Sequence, residues 1–342
     1  MRVKGLPLLA VLLVAAFALM GAARVRMLIH RDPGFQGDWS GPAGQVEGEP
    51  VPYWHEGTNR TWVRVDLSPG TNVLYVYYGS EDAPDESDGE AVFEFFDDFD
   101  GSELDASKWQ MNGAPTLSFA GGILNISGYT GAQIDNIMSL ESFGTDVVLE
   151  AYVNVDYTGM NAFGLELSNS SLGYSNPPTT HVAAIVDYSR NNNLINLATM
   201  NGSARNAYGP GPWLGGWEIF TIRRTASGVY FRVGSYEWTS TKYLPQGNLH
   251  VLLGGYKTDG VFKDAFSVQV DWVRIRKCVP YPPAVSYGPE EAGDFLVDGY
   301  RFTKRKRVEI TSNVALTGYQ FALDYAQWGM PNVKIKRLDD AG

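Results

Sequence analysis

Residues 268–276 read VQVDWVRIR. Apolar and polar side chains alternate along them, the two-residue period of a strand with one buried face. Outward from this segment, similar short runs recur through residues 93–277, each bounded by turn residues. They lie at 122–127, 147–157, 162–167, 181–187, 194–200, 218–225, 228–233 and 251–256. Many short strands without intervening helical patterns predict packed antiparallel sheets and not a βαβ fold. The composition agrees, because 38 Gly, 19 Tyr and 9 Trp suit strands and tight turns. The expected class is all-β.

Beyond this unit, residues 60–66 (RTWVRVD) and 72–78 (NVLYVYY) alternate around the turn Ser68-Pro69-Gly70-Thr71 and predict a hairpin. Residues 307–311 and 319–323 read as further strands. The stretch 51–80 looks like the end of a small β-sandwich, and 299–342 like the beginning of one. Residues 81–90 (EDAPDESDGE) and 278–298 (CVPYPPAVSYGPEEAGDFLVD) are acidic and contain proline, so they read as linkers. The expected division is therefore 1–23 signal peptide, 24–92 part of a small β-sandwich, 93–278 the large sandwich, 279–298 a Pro-rich linker, and 299–342 the start of the small sandwich. Three readings stay open for the two small pieces. They complete one domain within the chain, they pair between copies by strand addition, or the chain is a fragment that stops inside a domain.

The sequence carries 27 Lys and Arg against 38 Asp and Glu, a net charge of -11. That excludes a nucleic-acid partner on charge, since no basic stripe is present to meet phosphate. The one cationic run, Lys304-Arg305-Lys306-Arg307, reads as a solvated edge strand. Cys278 is the single cysteine, which rules out an internal disulfide and reads as an inert thiol. Arg2 and Lys4, the apolar run 6–20 and the small residues Gly21-Ala22-Ala23 have the form of a secretory signal. The expected location is extracellular or at the cell surface, with a membrane reached only through an uncleaved signal or a missing region. In that setting the N-x-S/T triplets at Asn59, Asn125, Asn169 and Asn201 are potential glycan acceptors.

Residues 96–101 (FDDFDG), Leu104-Asp105, Lys108-Trp109 and, at the far end, 270–275 (VDWVRI) make the central unit similar to the concanavalin A-like lectin/glucanase superfamily, including laminin-G-like modules. The resemblance implies a jelly-roll β-sandwich. Its glycosidase members carry paired acids in an E-x-D-x-x-E pattern on one central strand, and that pattern is missing here. Glu150 and Asp156 share a strand six residues apart, about 20 Å by strand rise, too far for a two-carboxylate mechanism. Glu166 looks isolated. The resemblance also implies a structural calcium, with Asp271 matching the closing-strand ligand and Gly121 or Gly122 the carbonyl turn. The flanking pieces resemble an uncharacterised domain of archaeal and bacterial surface proteins. Residues 300–311 and 315–320 match its beginning, and 53–56, 61–63 and 75–79 its end, in inverted order.

The function these features predict is a non-catalytic surface protein with a lectin-like module for polysaccharide or surface glycan. The aromatic candidates for a sugar platform are Trp213, Trp217, Tyr208 and Trp238, with Asn192, Asn193 and Asn206 near in sequence. Packing of each Trp into the sandwich is the competing reading. The alternatives are a subunit that assembles with copies of itself by strand exchange, and a polysaccharide hydrolase with an atypical site. The four His, at 30, 55, 181 and 250, show no zinc spacing. His55 and Glu56 are neighbours on a strand and point to opposite faces.

Overall fold

The computed structural model describes residues 26–31, 49–57, 60–128, 134–157, 162–171, 180–189, 192–202, 204–256 and 266–324. The signal-like segment 1–23, Asn59, and the end of the chain from residue 325 lie outside the described residues, as does the side chain of Asp156.

In chain order the strands are β1 (Arg26–Arg31), β2 (Glu49–Pro50), β3 (Tyr53–Glu56), β4 (Arg60–Leu67) and β5 (Gly70–Ser80). A single helical turn, α1 (Gly89–Val92), leads to β6 (Phe95–Asp97), β7 (Trp109–Asn112), β8 (Thr116–Ala120), β9 (Ile123–Gly128), β10 (Ile134–Phe143) and β11 (Val147–Tyr157). There follow β12 (Ala162–Ser168), β13 (His181–Ser189), β14 (Asn192–Asn201), β15 (Ala204–Pro212), β16 (Trp217–Arg224), β17 (Val229–Val233), β18 (Tyr236–Ser240), β19 (Leu249–Tyr256) and β20 (Phe266–Lys277). The last three are β21 (Ala284–Val297), β22 (Tyr300–Ser312) and β23 (Leu316–Asp324). Among the described residues every sheet pairing is antiparallel, and the chain divides into two compact units.

The first unit joins residues up to Asp88 with those from Pro283 on. One sheet has the order β2-β1-β5-β22-β21 and the other β23-β4-β3. The N-terminal strands thus pair with the C-terminal ones of the same chain: Thr71 faces Thr311 and Tyr75 faces Arg307 between β5 and β22, and Val63 faces Phe321 between β4 and β23. Alternation explains the burial, since Val63, Val65 and Leu67, or Leu74 and Val76, turn one face of each strand inward.

Residues 279–298, expected to be a linker, are instead largely strand. β21 is antiparallel to β22 from Ala284 to Val297, with register shifts between Tyr287 and Glu290 and between Ala292 and Phe295. Each bulge adds an unpaired residue and breaks the two-residue period, which hid the strand. The cationic run is neutralised across the same ladder: Lys304 meets Glu290 at 2.9 Å and Arg305 meets Glu291 at 2.6 Å. The Arg305 guanidinium also sits 4.8 Å from the ring centres of both Tyr75 and Phe295, a cation–π sandwich. The acidic stretch after β5 is tied down too. The Glu86 N–H donates to the Tyr53 hydroxyl (3.0 Å), the His55 N–H to Ser87 Oγ (3.0 Å), and the Asp88 N–H to the Tyr53 carbonyl (2.8 Å).

The second unit, Gly89–Pro282, is a sandwich of two large sheets. One has seven strands in the order β15-β14-β13-β12-β19-β10-β7; the other runs β18-β17-β16-β11-β20-β9-β8, with β6 also paired to β20. Alternate residues from both sheets meet in one core, including Leu149, Val153, Leu165, Leu167, Phe220, Leu253 and Val270. The FDDFDG and KW motifs act together here. Asp97 accepts the Trp109 indole N–H at 2.7 Å and the Phe99 N–H at 2.9 Å. Trp109 then packs edge-on to Phe95 at 5.2 Å. Buried Arg224 donates to the carbonyls of Phe143, Gly144, Pro245 and Gly247 at 2.7–3.1 Å, stapling two loops.

Candidate functional site

β12 is the middle strand of the seven-stranded sheet. Its residues Leu165 and Leu167 point into the core, so Glu166, between them, lies on the opposite face. Glu166 is fully buried, and neither carboxylate oxygen has a hydrogen-bond partner. Its cross-strand neighbours are Ala183 on β13 and Leu252 on β19, both buried. A buried carboxylate without a partner is costly, and the group responds by keeping its proton. Burial alone pushes its pKa up to about 8. At neutral pH this carboxyl is an acid with a proton to give.

The surroundings of Glu166 are small on one side and polar on the other. One row of the register joins Gly164, Gly254 and Asn136, and at its two glycines there is no room for a side chain. A Cβ on Gly164 would stand 2.7 Å from Glu166 Oε1, which shows that the carboxyl lies over this glycine. A Cβ on Gly254 (φ +143) would stand 2.6 Å from the Asn136 Cα, so the close approach of β10 requires glycine. On the other side, Ser168 is opposite His181 and His250. His181 is fully buried, and burial lowers its pKa to about 4, so it is neutral. His250 Nδ1 lies 2.8 Å from the Ser139 carbonyl oxygen, and the Asn136 amide donates to the Ser171 carbonyl oxygen at 2.9 Å.

Glu150 has a different fate. It receives Arg274 at 2.9 Å and Arg276 at 3.1 Å. Burial acts to raise its pKa, but the two guanidinium groups outweigh it and bring the value down to about 2. A carboxylate so committed is structural.

The aromatic candidates do not converge on the Glu166 face. Trp213 packs edge-on to Phe220 at 5.5 Å and donates its indole N–H to the Val155 carbonyl oxygen at 3.0 Å. Trp238 stacks on core Phe231 at 5.4 Å, and Tyr208, exposed at the rim, lies 5.7 Å from it. Trp217 stands on the other sheet, 5.0 Å from Tyr152. Gly121 and Gly122 form the two-residue loop of the β8–β9 hairpin, with φ of 59° and 66°, as a primed turn demands. Asp271 is the extra residue of a bulge in β20, between the Tyr152–Trp272 and Val153–Val270 pairs. No group of three or more His, Cys, Asp or Glu among the described residues could hold a metal ion. Asp271 with backbone carbonyls is a sparse set for calcium, which takes six to eight oxygens.

Sequence reasoning passed over Glu166 because it sought a second acid on the same strand. The legible signal was a glutamate at the outward position of an otherwise apolar run, AFGLELS. What one chain of letters does not show is that this strand is central and its outer face covered.

A family model described as "Domain of unknown function (DUF2341)" matches residues 45–112. No curated protein matches the sequence. Among solved structures, a pseudo β-1,3-glucanase and immunostimulatory antigen of Mycobacterium tuberculosis is similar at 16% identity, covering 55% of this chain and 100% of its own, with a TM-score of 0.42. An endo-acting O-glycanase structure from human gut microbiota that initiate mucin breakdown is similar at 14% identity, with coverages of 55% and 100% and a TM-score of 0.44. A Bacillus licheniformis β-glucanase is similar at 11% identity, with coverages of 53% and 96% and a TM-score of 0.41. At such identities and TM-scores the likeness carries no argument about this chain's activity, and its β-sandwich fold rests on its own antiparallel sheets.

Two expectations are corrected here. A non-catalytic lectin-like surface protein, and the exclusion of an enzyme, are not what the comparisons favour, since the similar solved structures are those of glucanases and an O-glycanase. The missing E-x-D-x-x-E pattern had argued for a dead site, yet the middle strand carries the protonated acid Glu166.

Proposed function

We propose that the second unit is a polysaccharide hydrolase of atypical site, with Glu166 as its proton donor. The observation that carries this reading is the fully buried, unpartnered carboxyl on the middle strand, held protonated at neutral pH. Glycosidic cleavage needs such an acid to protonate the departing oxygen as the C–O bond breaks. Water then supplies hydroxide to the anomeric carbon and returns a proton to the carboxylate. No charged neighbour contributes to the ionisation of Glu166, so the role assigned is proton donation alone. The carboxyl has no solvent-exposed surface, so substrate must displace what lies over it, and that cost falls on KM. The basic and apolar run at residues 2–20 supports an extracellular setting.

The test is release of reducing ends from β-1,3-glucan and mixed-linkage β-glucan by the full chain at pH 6. Glu166→Gln keeps the shape and removes the acid. We expect it to lower kcat by about 100-fold or more. Equal turnover by the variant, or no turnover of any glucan by the wild type, contradicts the reading.

A further inference from the structure

The outer face of the β11–β20 sheet carries a cross-strand row of a different kind. Trp217 on β16 stands opposite Asn154 on β11, Asn154 opposite Gln269 on β20, Gln269 opposite Asn125 on β9, and Asn125 opposite Ser118 on β8. The flanking residues Val153, Val155, Val268, Val270, Leu124 and Ile126 fill the core, so alternation turns the whole row outward. None of its five members is charged, and none is buried.

The amides are half used. The Asn154 Nδ2 donates to Gln269 Oε1 at 3.0 Å, and Ser267 Oγ donates to Asn125 Oδ1 at 3.0 Å. Asn154 Oδ1 remains as an acceptor and Gln269 Nε2 as a donor. At the end of the row the Trp217 ring lies 5.0 Å from Tyr152, and Tyr152 is stacked at 6.1 Å on Trp272. Arg274 closes the far side of Trp272 at 4.2 Å. The rings are thus propped in place before any ligand arrives, which reduces the ordering cost of binding.

We infer that this row is a second carbohydrate-binding surface, separate from the Glu166 face, and that its occupant is a neutral polysaccharide chain. Paired amides meet vicinal hydroxyls as donor and acceptor, and a propped indole takes the C–H face of a sugar ring. Charge selects the neutral class. None of the five side chains in the row is a cation, so a polyanionic glycan finds no counter-charge along it.

The experiment is electrophoresis of the full-length Glu166→Gln protein through gels containing barley mixed-linkage β-glucan, or polygalacturonate as the charged control. This variant removes hydrolysis from the reading, so a failure of the Glu166 assignment and a failure of this surface are separately visible. Retardation by β-glucan but not polygalacturonate is expected, with Trp217→Ala and the Asn154→Ala/Gln269→Ala pair each weakening it about ten-fold. Trp217→Tyr keeps a ring and is expected to retain most of the retardation, which separates loss of the platform from loss of the fold. Unchanged retardation in the alanine variants, equal retardation in polygalacturonate, or none in β-glucan overturns the inference.

Discussion

A glutamic acid with no partner is an expensive residue to bury, and Glu166 makes its cost dependent on pH. In the unfolded chain it ionises near 4.5; in the fold its pKa is about 8. The folded pKa is raised, so the contribution to stability is most favourable below pH 4.5 and is lost as pH rises through 8. His181 works in the opposite sense. Its pKa falls from 6.5 to about 4, so its favourable contribution is present above 6.5 and lost as pH falls through 4. Glu166→Gln removes the first effect and leaves the second. Thermal unfolding of the variant should match wild type near pH 4.5 and exceed it by at least about 5 °C at pH 9. A constant difference across that range would show that Glu166 is ionised in the fold. Glu150 is the contrast within the same unit. It has the same side chain and is also buried, yet two arginines hold it as a carboxylate.

At the scale of the element, regular alternation was legible and its interruptions were not. β4, β5, β12 and β20 stand close to where period-2 runs placed them, because each buries one face of a continuous ladder. The sequence of β21 reads as linker because two bulges break its period and the prolines at 280, 282 and 283 precede it. The site was less legible than the fold. Trp213 and Trp238 are candidates for a sugar platform by residue type, and tertiary packing sets both, partly buried, against the core. Trp217 was singled out by composition, yet the amide row beside it joins β16, β11, β20 and β9, which are far apart in sequence. Such rows come from register, and register is set by the whole sheet. Glu166 is similar: its position on β12 was visible, and its burial depends on what covers the sheet face.

For the whole molecule, the decisive feature is that strands from both ends of the chain share sheets in the first unit. Thr71 and Thr311, 240 residues apart in sequence, bring their hydroxyl oxygens to 3.4 Å at the solvent-exposed end of the β5–β22 ladder. Pairing inside one chain covers strand edges that would otherwise invite other chains. Thr71→Cys with Thr311→Cys should therefore oxidise to a disulfide within one chain, and the product should run as a monomer on a non-reducing gel. A ladder of cross-linked chains would show strand exchange between copies instead. The proposed hydrolase reading turns on the second unit and on one proton. The most direct measurement is a carbon-13 NMR titration of glutamate carboxyls in the full chain, with Glu166 assigned by its absence in Glu166→Gln. A carboxyl titrating near pH 8 is the predicted result. A Glu166 carboxyl that titrates in the ordinary range near 4.5 contradicts the assignment of a neutral proton donor at the centre of the sheet.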